Sequence, residues 1–173
     1  MRHPAWLLIL ALCLGCAGLA APVRAATPAV GSMAPAFHLE DQNGHWRSPA
    51  DYRGEWLVLY FYPKDFTPGC TTEVCTFRDD LAKLRQAGAR VVGVSLDDVA
   101  SHAEFAAKYQ VPFPLLADTK HAAAEAYGVL SAHGDAHYAA RTTFLIDPEG
   151  RLAEVWTDVD PEANSVQTSA RRP

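Results

Sequence analysis

Residues 56–75 read WLVLYFYPKDFTPGCTTEVC, and the fold turns on how this stretch is parsed. The run 56–62 is aromatic and branched throughout, with no polar alternation. A strand with that pattern is buried on both faces, as in a sheet covered by helices. Pro63 ends it. Thr67 then offers a helix N-cap and Pro68 suits the first helical position, where no N–H is needed. Val74, Phe77, Leu81 and Leu84 form one apolar helical stripe, and Gly88 closes the helix as a C-terminal cap.

Working outward, residues 91–95 (VVGVS) read as a second buried strand, which completes a strand–helix–strand unit. Upstream, 36–40 (AFHLE) reads as a strand before an Asp41-Gln42-Asn43-Gly44 turn. Downstream, Ser101 and Glu104 form a capping box that opens a helix running to about Tyr109. A short strand is expected over 115–117 and a helix over 121–127. Residues 141–147 (RTTFLID) read as a strand, turning at Pro148-Glu149-Gly150 into a hairpin partner over 151–159. The expected order β, β, α, β, α, β, α, β, β defines an α/β domain: a central mixed β-sheet flanked by helices and closed by a hairpin.

The chain's ends read differently. Residues 1–25 combine a basic start, an apolar run from Trp6 to about Ala20, and small residues at Val23 and Ala25. That is the pattern of a signal peptide cleaved after Ala25. The apolar run is short of the roughly 20 residues of a membrane span, which sets a retained signal anchor behind cleavage. A lipoprotein reading of Leu14-Gly15-Cys16 is weakened by Cys13, where that pattern expects Leu. Residues 26–173 then form one domain in an exported protein, bacterial periplasm being the expected compartment. Lys plus Arg falls from 15 to 13 against 20 acids, so the net charge moves from -5 to -7. Such a surface argues against nucleic acid as a partner. At the far end, 161–173 (PEANSVQTSARRP) shows no apolar stripe and is expected to fray.

Of the four cysteines, Cys13 and Cys16 fall in the leader, leaving Cys70 and Cys75 in an oxidising compartment. Cys70 stands third in its helix, facing unpaired backbone N–H groups and the positive end of the dipole. Both favour thiolate, the reactive form. Gly69 removes bulk beside the sulfur, and the Thr67 hydroxyl can donate to it or to a bound oxygen. Cys75 lies five residues on. In an intact helix that spacing separates the Cα atoms by roughly 8–9 Å, beyond the limit of about 7 Å for a disulfide. Either the pair never bonds, or the first turn unwinds after Cys70 has reacted, as in a cycle from sulfenic acid to disulfide.

Other readings remain. A permanent Cys70–Cys75 bridge would make a stapled binding module. A thiol–disulfide oxidoreductase would act on exported proteins, although no Cys-x-x-Cys motif is present. A metal site is disfavoured, because two thiols at this spacing have no second pair. His133 and His137 are placed in a polar, solvent-facing loop, Trp56 and Tyr60 in the core, and Glu73 as a helix N-terminal acid interacting with the dipole.

The motif Pro63-Lys-Asp-Phe-Thr67-Pro-Gly-Cys70 resembles that of the peroxiredoxins, Pro-x-x-x-Thr-x-x-Cys. The continuation Thr71-Thr72-Glu73-Val74-Cys75 is similar to the Q-type branch, also called bacterioferritin comigratory protein, and the resemblance spans about 30–159. It implies a thioredoxin-like fold and reduction of hydrogen peroxide and organic hydroperoxides without a bound cofactor. A thioredoxin-like dithiol is the implied reductant, and a monomer or weak dimer is expected. On this resemblance Cys70 is the peroxidatic nucleophile and Cys75 the resolving cysteine. Thr67 holds the peroxide and Pro63 shields the sulfur. Arg141, in ARTTFLID, matches the family arginine beside that sulfur. The family's closing amphipathic helix has no counterpart in the reading of 161–173.

Overall fold

The computed structural model describes residues 26–170. The proposed leader, with its cleavage and lipidation motifs, lies outside the described residues. The elements in chain order are β1 (Leu39–Asp41), β2 (Trp46–Arg47), a 3₁₀ turn (Pro49–Tyr52), β3 (Trp56–Phe61), α1 (Pro68–Gln86), β4 (Ala89–Ser95) and α2 (Val99–Tyr109). There follow β5 (Leu115–Ala117), α3 (Ala122–Ala126), β6 (Leu130–His133), β7 (Ala136–Ala139), β8 (Thr142–Ile146), β9 (Leu152–Thr157) and α4 (Asn164–Ala170).

Seven strands form one mixed sheet in the order β2-β1-β5-β4-β3-β8-β9. β3, β4 and β5 run parallel, as their helical crossovers require, while β8 and β9 add antiparallel at one edge. β3 is an interior strand, covered on both faces, which explains its unbroken apolar run. Val58, Tyr60 and Tyr62 face α1 and α2, packing with Val74, Phe77, Leu84 and Phe105. Leu57, Leu59 and Phe61 face the other side, against Ala123, Ala124 and Tyr127 around α3. Each such side chain, fully buried, contributes about 1.5–3 kcal/mol. Tyr60 stacks on Phe77 at 4.6 Å and lies over Gly93, where a Cβ would fall 2.7 Å from the tyrosine oxygen. Only glycine fits under that ring.

Four expectations are corrected. α2 begins at Val99, with its cap three residues before the expected Ser101, because Asp98 is the cap: its carboxylate accepts from the Ser101 N–H at 2.8 Å. The polar loop holding His133 and His137 is a β6–β7 hairpin, turned at Gly134 with φ +59°, although both histidines are exposed as expected. A short β2 pairs with β1 where no strand was expected. Within the segment expected to fray, Asn164–Ala170 form α4, which is held by polar bonds rather than an apolar stripe, while 171–173 lie outside the described residues. Asn164, Ser165 and Thr168 are buried, and Val166, its one large hydrophobic residue, is exposed. Periodicity of apolar residues gave no sign of it.

Candidate active site

The apolar stripe of α1 extends one turn toward its start, so Cys70 and Glu73 join Val74, Phe77 and Leu81 on the buried face. Cys70 therefore enters the core wall, only 2% exposed. Sheet register supplies its partner. Phe61, at the end of β3, pairs with Thr142, so Arg141 arrives at the point where β3 leads into the α1 loop. Although 71 residues separate them in sequence, Arg141 Nη2 donates to Cys70 Sγ at 3.3 Å. Its Nη1 donates to Glu73 Oε2, and the Arg141 side chain is 16% exposed. The fork thus bridges a sulfur and a carboxylate that lie one helical turn apart.

Glu73, read as a helix N-terminal acid interacting with the dipole, is fully buried and bonds instead to Arg141 and Asn164. Burial lifts its carboxyl to about 7, against the opposing pull of Arg141 and Asn164. For Arg141, burial works against the charge, but Glu73 and Cys70 more than offset it and the guanidinium is held above its ordinary value. Glu73 keeps its proton in the fold up to about pH 7, whereas an unfolded carboxyl loses it near 4.5. Its contribution to stability is complete below about pH 4.5 and lost as pH rises toward 7. The size is on the order of 3 kcal/mol. Urea unfolding of Glu73→Gln between pH 5 and pH 7.5 should show this slope flattened relative to wild type, whatever the variant's stability at any one pH.

Thr67 is the N-cap of α1 through its backbone, its carbonyl accepting from Thr71 N–H at 2.9 Å. Its hydroxyl donates to the Lys64 carbonyl at 3.0 Å, closing the loop on itself, and not to the sulfur, one of the two partners expected for it. Pro63 lies half-buried in that same loop. Gly69 lies close under the arginine: a Cβ there would sit 3.3 Å from Arg141 Nη2, tight enough to press on the guanidinium, and 3.6 Å from Pro161 Cγ. Cys75 is half-buried, and both cysteines are free thiols within one uninterrupted helix.

Several functional candidates were missed by sequence reasoning. Asp65, buried in the loop, accepts from Tyr62 Oη and Ser101 Oγ, each at 2.7 Å, and lies 2.8 Å from His102 Nδ1. His102 Nε2 donates to the Leu116 carbonyl at 3.1 Å. This cluster ties the loop before Cys70 to α2 and β5. Phe66, next along, takes a left-handed φ of 60°, a strained conformation for a bulky residue, with its ring edge-on to Phe105 at 5.1 Å. Arg78, near Cys75 on α1, donates from Nη1 to the Tyr109 carbonyl at 2.7 Å and ties that helix to the end of α2. Periodicity and capping patterns carry no sign of these contacts, because their partners lie on other elements.

Known proteins share this architecture. Residues 30–155 match the family model described as AhpC/TSA family. Peroxiredoxin Bcp of Bacillus subtilis is 43% identical over 146 residues, covering 80% of this chain and 93% of its own. The putative peroxiredoxin bcp of Coxiella burnetii is 42% identical over 146 residues, covering 82% and 97%. Among solved structures, a mutant of the Xylella fastidiosa peroxiredoxin Q superposes with a TM-score of 0.79 at 33% identity, covering 84% of this chain and 96% of that one. Xanthomonas campestris bacterioferritin comigratory protein, studied for alkyl peroxide reduction, gives 0.73 at 36%, covering 78% and 88%. With a thioredoxin-like sheet, a cysteine at the α1 N-terminus under an arginine, and this breadth of similarity, the chain belongs to the AhpC/TSA family as a peroxiredoxin of the Bcp/Q branch, a peroxidase.

Proposed function

We propose that this peroxiredoxin reduces hydrogen peroxide and organic hydroperoxides through Cys70, with Cys75 as the resolving thiol and a thioredoxin-like dithiol as reductant. The observation that carries the reading is the 3.3 Å hydrogen bond from Arg141 to the Cys70 sulfur at a helix N-terminus. The sulfur attacks one peroxide oxygen. An S–O bond forms, the O–O bond breaks, and the other oxygen leaves as water or alcohol with a proton. Arg141 is placed to hydrogen-bond the oxygen on which charge develops. Thr67 and Pro63 shape the approach. The Cys75 thiol then displaces water from the Cys70 sulfenic acid to give a disulfide, and the dithiol restores both thiols as it becomes oxidised.

The helix forbids that disulfide until its first turn opens, and the strained Phe66 lies at the segment that must move. We place the protein outside the cytoplasm, released by cleavage after Ala25, where Cys70 and Cys75 are its two remaining cysteines. Cys75→Ser tests the cycle. It should consume one peroxide per chain and stall as a sulfenic acid trapped by a carbon nucleophile such as dimedone. Continued turnover with the dithiol at the wild-type rate would reject Cys75 as resolving residue.

A further inference from the structure

The polar C-terminal helix has a chemical reason to be there. Asn164 is 1% exposed, and its Nδ2 donates to Glu73 Oε1 at 2.7 Å and to Thr143 Oγ1 at 2.8 Å. The Thr143 hydroxyl returns a bond to Asn164 Oδ1 at 3.1 Å. Thr143 pairs with Tyr60 and so projects from the same face of the sheet as α1. Ser165 Oγ adds a bond to Asp80 Oδ2 on α1 at 2.8 Å. Pro161, just before α4, lies against Gly69. A continuous line of contacts runs from Asn164 to Glu73, to Arg141, to the Cys70 sulfur.

We infer that Asn164 is a positioning residue: through Glu73 it aims Arg141 at Cys70, and it clamps the turn of α1 that must open before Cys70 and Cys75 can join. The inference rests on the two-cysteine cycle proposed above and adds to it a control by the C-terminal segment. Glu73 lies between the two cysteines, so its bond to Asn164 resists unwinding there. The charged and titratable groups facing Glu73 are Arg141 from the loop before β8, Cys70 from its own helix and Tyr60 from β3. Asn164 is a neutral donor that stabilises the ionised carboxylate.

The clamp makes the two half-reactions respond oppositely, which a purely structural role would not. In Asn164→Ala, sulfenic acid formation with hydrogen peroxide at pH 7 should slow roughly tenfold to a hundredfold, because Arg141 loses its fixed aim. The pH profile of that step should move to higher pH as Glu73 gains proton affinity. Disulfide formation from the sulfenic acid, timed by rapid quench and mass spectrometry, should accelerate. Asn164→Asp keeps the size and the bond from Thr143 but replaces the donor toward Glu73 with an acceptor. It should shift both steps in the same directions and serves if the alanine variant does not fold. Both steps unchanged, or both slowed alike, would overturn the clamp while leaving the cycle intact. Absence of a Cys70 sulfenic acid in the wild-type protein would overturn the cycle and the clamp with it.

Discussion

Cys70→Ser abolishes peroxide turnover, bringing dithiol-dependent consumption down to the rate without protein. The serine oxygen fits the site and can still accept from Arg141, so the fold and the Glu73–Arg141 pair survive. What it lacks is a sulfur able to take up oxygen and later pass it on as water. Cys75 cannot substitute, because the Arg141 fork already spans Cys70 and Glu73 and Cys75 lies further along the helix, half-buried near Arg78. Steady-state assay with a thioredoxin-like dithiol reads the rate, and thermal melting checks the fold. Wild-type turnover in a folded Cys70→Ser variant would end the assignment.

Arg141→Lys lowers the second-order rate constant for peroxide by a hundredfold to a thousandfold, the usual effect of removing a preorganised donor at developing charge. Lysine keeps the positive charge and so spares Glu73 an unpaired burial. It cannot keep the fork, because one ammonium on a flexible stem cannot hold the sulfur and the carboxylate in fixed directions at once. Stability should change far less than rate. The measurement is stopped-flow oxidation of the reduced protein across peroxide concentrations, with urea unfolding alongside. A loss smaller than tenfold would mean that charge alone suffices and that the geometry of Arg141 is incidental.

Local sequence carries the parts of this molecule that depend on near neighbours. The run 56–62, the stripe Val74-Phe77-Leu81-Leu84 and the Thr67-Pro68 helix start each follow from side-chain periodicity or backbone stereochemistry. The resulting elements, Trp56–Phe61 and Pro68–Gln86, lie close to where they were read. The misreadings share a cause. Ser101 looked like a cap, but its hydroxyl is drawn to Asp65, 36 residues away, and Asp98 caps instead. Of the two partners read for the Thr67 hydroxyl, the sulfur or a bound oxygen, the sulfur is not taken, because the Lys64 carbonyl in its own loop accepts instead. The segment 161–173 looked frayed because its partners, Glu73, Thr143 and Asp80, are distant and its anchors polar.

The buried strand 56–61, the helix after it, the place of Cys70 third in that helix, and the inability of Cys75 to reach it there were determined by sequence alone, since each follows from steric and helical geometry over a few residues. That Arg141 meets Cys70, that Glu73 is buried in a bond to Arg141, and that α4 bonds to α1 at Glu73 and Asp80 were decided by tertiary structure. The β3–β8 register and the packing of α4 on α1 set those distances, and both arise from the whole core folding at once.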